Sequence, residues 1–156
     1  MILKSEMCAN PNILGGRFVL AIKDAGTNKE RWKARFVVQG HREKLKTSLV
    51  HDSPTARQNS TRLIVGLASA FGFRIFSTDV TQAYLQSADS LMRDVYVRPT
   101  KEFELDESHT LKFMKPLYGL ADSGDYWGKT FSTHLRDDLG MTTATGDGAL
   151  FLQKLD

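Results

Sequence analysis

The chain has 156 residues, enough for one domain with a genuine core and too few for a multi-domain enzyme. A formal net charge of +3 with ordinary apolar content excludes collagen-like and strongly disordered classes. The single cysteine, Cys8, excludes an internal disulfide framework and a multi-cysteine zinc site. The four histidines (His41, His51, His109 and His134) lie too far apart for metal-ligand spacing. No apolar run approaches the ~18 residues of a membrane span, and residues 1–10 lack the apolar heart of a signal peptide. The expected location is therefore intracellular, with no membrane partner.

Residues 1–16 carry little pattern and end in Gly15-Gly16, a turn or joint. Arg17 to Lys23 reads as a strand, Asp24 to Asn28 as turn chemistry, and Lys29 to Gln39 as the returning strand of a hairpin. On that second strand Lys29, Arg31, Lys33 and Arg35 recur at every second position, so one face carries all four, while Trp32, Ala34 and Phe36 share the other. A solvated face over a half-buried sheet gives this pattern, and so does a platform for phosphates. From Lys23 to Lys46 the basic residues exceed the acidic ones by five, more than the whole chain's +3, and this local excess favours phosphates.

After a polar connection through Pro54, Ser60 is the expected cap of a helix. Leu63, Ile64, Leu67, Ala68 and Phe71 form its apolar stripe, read as core, and Gly72 ends it. Arg74 to Val80 then reads as a strand that delivers Asp79 to its end, with a short helix or turn over Thr81 to Leu85. Further strands are expected at Asp94 to Arg98 and Thr110 to Lys115. Lys115 to Gly124 is a turn punctuated by Pro116 and Gly119, with Asp122 or Ser123 capping a helix. That helix carries Trp127, Phe131, Leu135 and Leu139 at every fourth residue and stops at Gly140; Ala149 to Lys154 is the last strand.

Three pieces thus stand in one order: the basic strand WKARFVVQG, the carboxylate segment STDVTQAYL, and the turn KPLYGL before a helix. In that order the chain resembles the copia-type retrotransposon reverse transcriptases, from about Gly16 to Lys154. The phrases that carry the likeness are Lys33-Ala34-Arg35 with Gly40, Asp79-Val80 with Ala83-Tyr84-Leu85, and Val95-Tyr96-Val97 before Pro99. Leu117-Tyr118-Gly119-Leu120, Trp127 and Leu150-Phe151 complete them.

The resemblance implies an α+β fingers–palm fragment, with a mixed, mostly antiparallel sheet and two principal helices packed on one face. It divides the chain into a leader (1–16), a fingers-like hairpin with a basic connection (17–58) and a partial palm (59–156). It makes Asp79 the first catalytic, magnesium-binding aspartate, assisted by the backbone carbonyl of Val80. Lys33 and Arg35 become the residues that meet the incoming triphosphate, Tyr84 a steric gate favouring deoxynucleotides, and Tyr118 and Gly119 the lining of the nucleotide pocket. Lys29 and Arg31 become nucleic-acid contacts. The implied partners are an RNA or DNA primer–template, a deoxynucleoside triphosphate, and the other polyprotein parts: thumb, ribonuclease H and integrase. The implied location is a cytoplasmic virus-like particle or the nucleus. On this pattern Asp79 lies at an exposed strand end near Tyr84 and Tyr118, close to the basic hairpin, and an apolar edge is exposed along Ala149 to Leu152.

Two departures stand out. The family's Lys-Gln-Ser-Pro-Arg is replaced here by Ala121-Asp122-Ser123-Gly124-Asp125, which reverses the local charge. The Tyr-X-Asp-Asp phrase that carries the other two metal ligands does not occur; the only adjacent Asp pair, Asp137-Asp138, belongs to the solvated side of a helix. The expectation is a truncated copy of an RNA-directed DNA polymerase whose parent works by two-metal nucleotidyl transfer, with this piece inactive alone. The alternatives are a non-catalytic nucleic-acid-binding or assembly module, and an inert degenerate copy.

Overall fold

Val95-Tyr96-Val97 lacks the alternation of a one-sided strand, the pattern of a strand covered on both faces. The computed structural model, which describes residues 1–44, 46–50 and 52–154, buries all three at the centre of the largest sheet; His51 lies outside the described residues. The elements in chain order are β1 (Ile2–Leu3), β2 (Ile13–Leu14), β3 (Gly16–Lys23), β4 (Arg31–Val38), α1 (Gln58–Phe71), β5 (Val95–Val97), β6 (His109–Phe113), α2 (Ser123–Thr133), β7 (Thr142–Ala144) and β8 (Asp147–Leu152). The main sheet has the order β1-β6-β5-β2, with β6 antiparallel to both neighbours and β2 parallel to β5. β3–β4 and β7–β8 are separate antiparallel hairpins. The α+β class, with mixed and mostly antiparallel pairing and two principal helices, is the one read from the sequence.

Leu14, Val95 and Val97 of the main sheet share one buried cluster with Val38, at the base of β4, and with Leu117 and Leu120 of the turn before α2. The hairpin and the turn are therefore anchored in the same core as the sheet. Phe18 and Phe36 add an aromatic layer against Phe103, with ring centroids 5.2–5.7 Å apart. Beyond them the hairpin leaves this face open: Leu20 is 67% and Trp32 73% exposed.

Four local expectations change. Residues 73–80 form no regular element and take no ladder partner among the described residues, and Phe76 is 85% exposed. β-Branched and aromatic content favours extended backbone; a strand also needs a neighbour. On α1 the stripe exists, yet only Ala68 is buried, and Leu63, Ile64, Leu67 and Phe71 face solvent. Periodicity reports that a helix has an apolar face, not what covers it. The regular α2 ends at Thr133 and continues as a π-helical turn, His134–Asp138, before Gly140 in the left-handed region (φ 64°) ends the run. Asp137 and Asp138 are exposed on that turn, and Asp138 accepts from His134 Nδ1 at 2.6 Å.

The fourth change concerns the start of α1. The helix begins at Gln58, two residues before the expected cap at Ser60. Its first turn is met instead by the carboxylate of Asp147, 90 residues away, which accepts from the Arg57 N–H at 2.9 Å and from the Ala149 N–H at 3.1 Å. A hydrogen bond from Ser60, followed by those two amides, holds the Asp147 carboxyl below its ordinary value. A depressed folded pKa stabilises the fold above the unfolded carboxylate range (about 3.9), and the contribution is lost as pH falls through the lower folded value. Asp147→Asn is therefore expected to melt below the parent at pH 7, with the gap closing toward pH 3. Thermal melts across that range check it, and a gap that persists unchanged in acid would refute it.

Candidate functional site

Three segments distant in sequence converge on one cavity of about 400 Å³. β4 contributes Lys33 to Phe36, the irregular chain after α1 contributes Asp79 to Gln82 with Leu85, and the turn before α2 contributes Leu117 and Tyr118. Each is placed by its own local chemistry.

The hairpin sets its charged wall through register. Val19 lies opposite Arg35, Ala21 opposite Lys33, and Lys23 opposite Arg31, while Arg17 lies opposite Val37. Directly opposed residues share a face, so Arg17 and Lys23 join Arg31, Lys33 and Arg35 on the basic side. Lys29 falls in the turn before β4 rather than on the strand. Arg35, then Lys23, depress the Lys33 ammonium pKa, as crowded like charges do, and Asp79 partly offsets them. Arg17 and Lys23 escaped the sequence reading because cross-strand parity depends on the register of the turn. Their own odd-position spacing was the available signal.

The Asp79 segment turns sharply. Gln82 adopts φ 53° and ψ 41°, the left-handed region that a non-glycine residue enters only when its surroundings compel it. A 3₁₀ turn follows over Ala83–Gln86, closed by Leu85 N–H to Gln82 O at 3.0 Å and Ser87 N–H to Tyr84 O at 3.2 Å. Lys115, from the KPLYGL phrase, clamps its far end by donating Nζ to the carbonyls of Ser87 and Ala88, both at 2.7 Å. The reverse path thus leaves Asp79 exposed at the cavity and Val80 half-buried beside it.

The third wall is a tight turn in which Leu120 N–H donates to Leu117 O at 3.2 Å, and the buried Ser123 hydroxyl donates to the same carbonyl at 2.7 Å. Gly119 occupies the third position of the turn with φ 100°, the region a type II turn demands. A Cβ there would meet Val38 O at 2.0 Å, and a Cβ on Gly40 would meet Gly119 O at 2.0 Å. Backbone packs directly on backbone, and the Val38 N–H donates across the joint to Tyr118 O at 3.0 Å. Gly119→Ala combines a disfavoured φ with a backbone clash, so the expected loss is about 3 kcal/mol, read as a lowered urea midpoint.

Of the residues expected at the site, Lys33, Arg35, Asp79, Val80 and Tyr118 line the cavity. Tyr84 does not; its ring lies against Tyr118, with centroids 4.8 Å apart and planes at 56°. Gly119 supplies the close approach rather than a wall. Arg31 lies at the far end of the hairpin, with Nε 3.9 Å from Asp24.

No group of three or more His, Cys, Asp or Glu able to hold a metal occurs among the described residues. Magnesium is bound in many sites through one or two carboxylates, with substrate phosphates and water completing the shell. Asp79, close enough to Lys33 to act on its charge, supplies one ligand of the kind such a shell uses. The donor set does not fit a pair of ions.

Residues 5–154 match the family described as reverse transcriptase (RNA-dependent DNA polymerase). Over 139 residues, 89% of this chain, it is 27% identical to the truncated transposon Ty1-A Gag-Pol polyprotein of Saccharomyces cerevisiae, covering 11% of that protein. It is 26% identical over the same length to the transposon Ty1-BL Gag-Pol polyprotein of that yeast, covering 8% of it. The chain therefore spans about a tenth of the length of these relatives. No solved structure matches.

Proposed function

Because this chain belongs to the reverse transcriptase (RNA-dependent DNA polymerase) family, in its copia-type branch, we propose that its cavity receives the incoming deoxynucleoside triphosphate of a retrotransposon polymerase. The observation that carries the reading is the meeting of Lys33, Arg35, Asp79 and Tyr118, drawn from three separate segments, around one cavity. Lys33 and Arg35 bind the phosphates, with Lys23 adding field from the partner strand. Asp79 and the Val80 carbonyl hold the magnesium that accompanies them. When bound, that ion neutralises charge on the transferring phosphate. Tyr118, backed by Tyr84, gives the sugar and base a rigid surface, so Tyr84 acts against a ribose 2′-hydroxyl through Tyr118. Lys29, Arg31 and Arg17 extend the positive face toward a primer–template. Thumb, ribonuclease H and integrase parts of the polyprotein are the proposed protein partners, in a virus-like particle or the nucleus.

Chemical-shift mapping tests this directly. Adding a deoxynucleoside triphosphate with magnesium to the chain is expected to move amide resonances of residues 33–36, 79–85 and 117–118 together. Shifts confined to the hairpin would instead favour a module that binds nucleic acid through its basic face without handling nucleotides. The extension of that face well beyond the cavity, to Lys23 and Arg31, is the observation that keeps this second reading.

A further inference from the structure

Arg93 lies in the loop before β5, outside the cavity, and belongs to none of the sequence phrases. Its side chain is only 14% exposed. Nε donates to Glu43 Oε1 at 2.5 Å, and Nη1 and Nη2 form a fork on Asp122 at 2.5 and 3.0 Å. The Glu43 side chain is fully buried and that of Asp122 is 7% exposed. Glu43 closes the short turn after Gly40, with its N–H on Gly40 O at 3.0 Å. Asp122 is the N-cap residue of α2, two positions beyond Leu120. One guanidinium therefore ties the chain leaving β4 to the chain leaving the Tyr118 turn. Those two chains carry two walls of the cavity and touch at Gly40 and Gly119.

Stability alone explains this triad poorly. Buried ion pairs commonly gain no more than an apolar side chain of the same volume would. Here two carboxylates share one cation, and Glu43 Oε2 finds no hydrogen-bond partner among the described residues. Burial by itself lowers the Arg93 pKa, but hydrogen bonds to Glu43 and Asp122 outweigh it and raise the value above its ordinary range. What the guanidinium supplies that an apolar residue does not is direction: a rigid planar fork with three bonds to two carboxylates carried on separate segments. The reversed charge at Asp122, a departure from the family phrase, thus has a buried partner.

We infer that Arg93 is a positioning residue, which sets the separation between the basic wall and the tyrosine wall by holding Glu43 and Asp122 on one guanidinium. Its consequence for nucleotide binding rests on the function proposed above; its geometry does not.

Hydrogen exchange on the whole chain tests it. The Val38 N–H to Tyr118 O bond crosses the joint, whereas Tyr96 N–H to Asn12 O and Arg98 N–H to Leu14 O lie in the main sheet. Arg93→Lys keeps the charge and loses the fork. It is expected to speed exchange at Val38 by about tenfold or more relative to Tyr96 and Arg98, the mark of local rather than global opening. It should also lower affinity for a deoxynucleoside triphosphate while leaving affinity for inorganic tripolyphosphate unchanged. Asp122→Asn, which keeps the shape, gives the same local pattern and serves if Arg93→Lys does not fold. Equal acceleration at all three amides, or none at Val38, overturns the proposal. If the unaltered chain binds tripolyphosphate and nucleotide equally, the nucleotide reading fails, and the exchange pattern still decides the role of Arg93.

Discussion

Asp79→Asn is expected to abolish primer extension by a copia-type polymerase carrying this segment, a loss of at least about a thousandfold. Among the described residues, Asp79 is the only carboxylate lining the cavity. An amide in its place removes the charge that holds a magnesium ion against the triphosphate. Metal-held alignment and charge neutralisation contribute several kcal/mol of barrier lowering, and about 1.4 kcal/mol is a factor of ten in rate. By the same reasoning, the chain purified by itself is expected to extend no primer with magnesium or manganese, because the described residues offer one carboxylate where paired metals need several. Extension by the isolated chain that vanished on Asp79→Asn would mean that a second acidic site assembles, for instance between two copies. Restoring activity by adding a polymerase piece that carries an Asp-Asp hairpin, only when Asp79 is intact, is the positive form of the test.

The second large effect concerns charge. Lys33→Ala with Arg35→Ala is expected to weaken primer–template and triphosphate binding by about tenfold to a hundredfold at low salt. It should also reduce the slope of log affinity against log salt by about two, one for each phosphate contact removed. Both side chains face the cavity with Arg17, Lys23 and Arg31 beside them, so the mutant keeps a residual positive field. Titrations at several salt concentrations measure both quantities. An unchanged slope would show that these residues meet no phosphate. Lys23→Ala alone is expected to have a smaller effect in the same direction, because Lys23 acts on the cavity through Lys33 rather than by lining it.

Much of this was legible in the chain because it was local. Alternation along β4 placed Lys33 and Arg35 on one face, and Gly72 (φ 71°) and Gly140 (φ 64°) end helical runs where only a left-handed residue fits. The order of Lys33-Ala34-Arg35, Asp79-Val80 and Leu117-Tyr118-Gly119-Leu120 identified the family, since phrases in register outweigh any one of them. The α+β class came with the family resemblance, and the strand and helix periods along the chain agree with it. What the chain did not disclose was non-local. Nothing near Gln58 announces that Asp147 meets the first turn of α1, and nothing near Arg93 announces Glu43 and Asp122. The apolar stripe of α1 reads the same whether covered or bare, and Ile75 and Phe76 carry strand propensity whether or not a neighbouring strand accepts their backbone bonds. The sequence by itself determined which face of each element is charged or apolar. Only the tertiary structure decided which faces meet, because burial, pairing and the reach of a guanidinium depend on segments that come close only when the chain has folded.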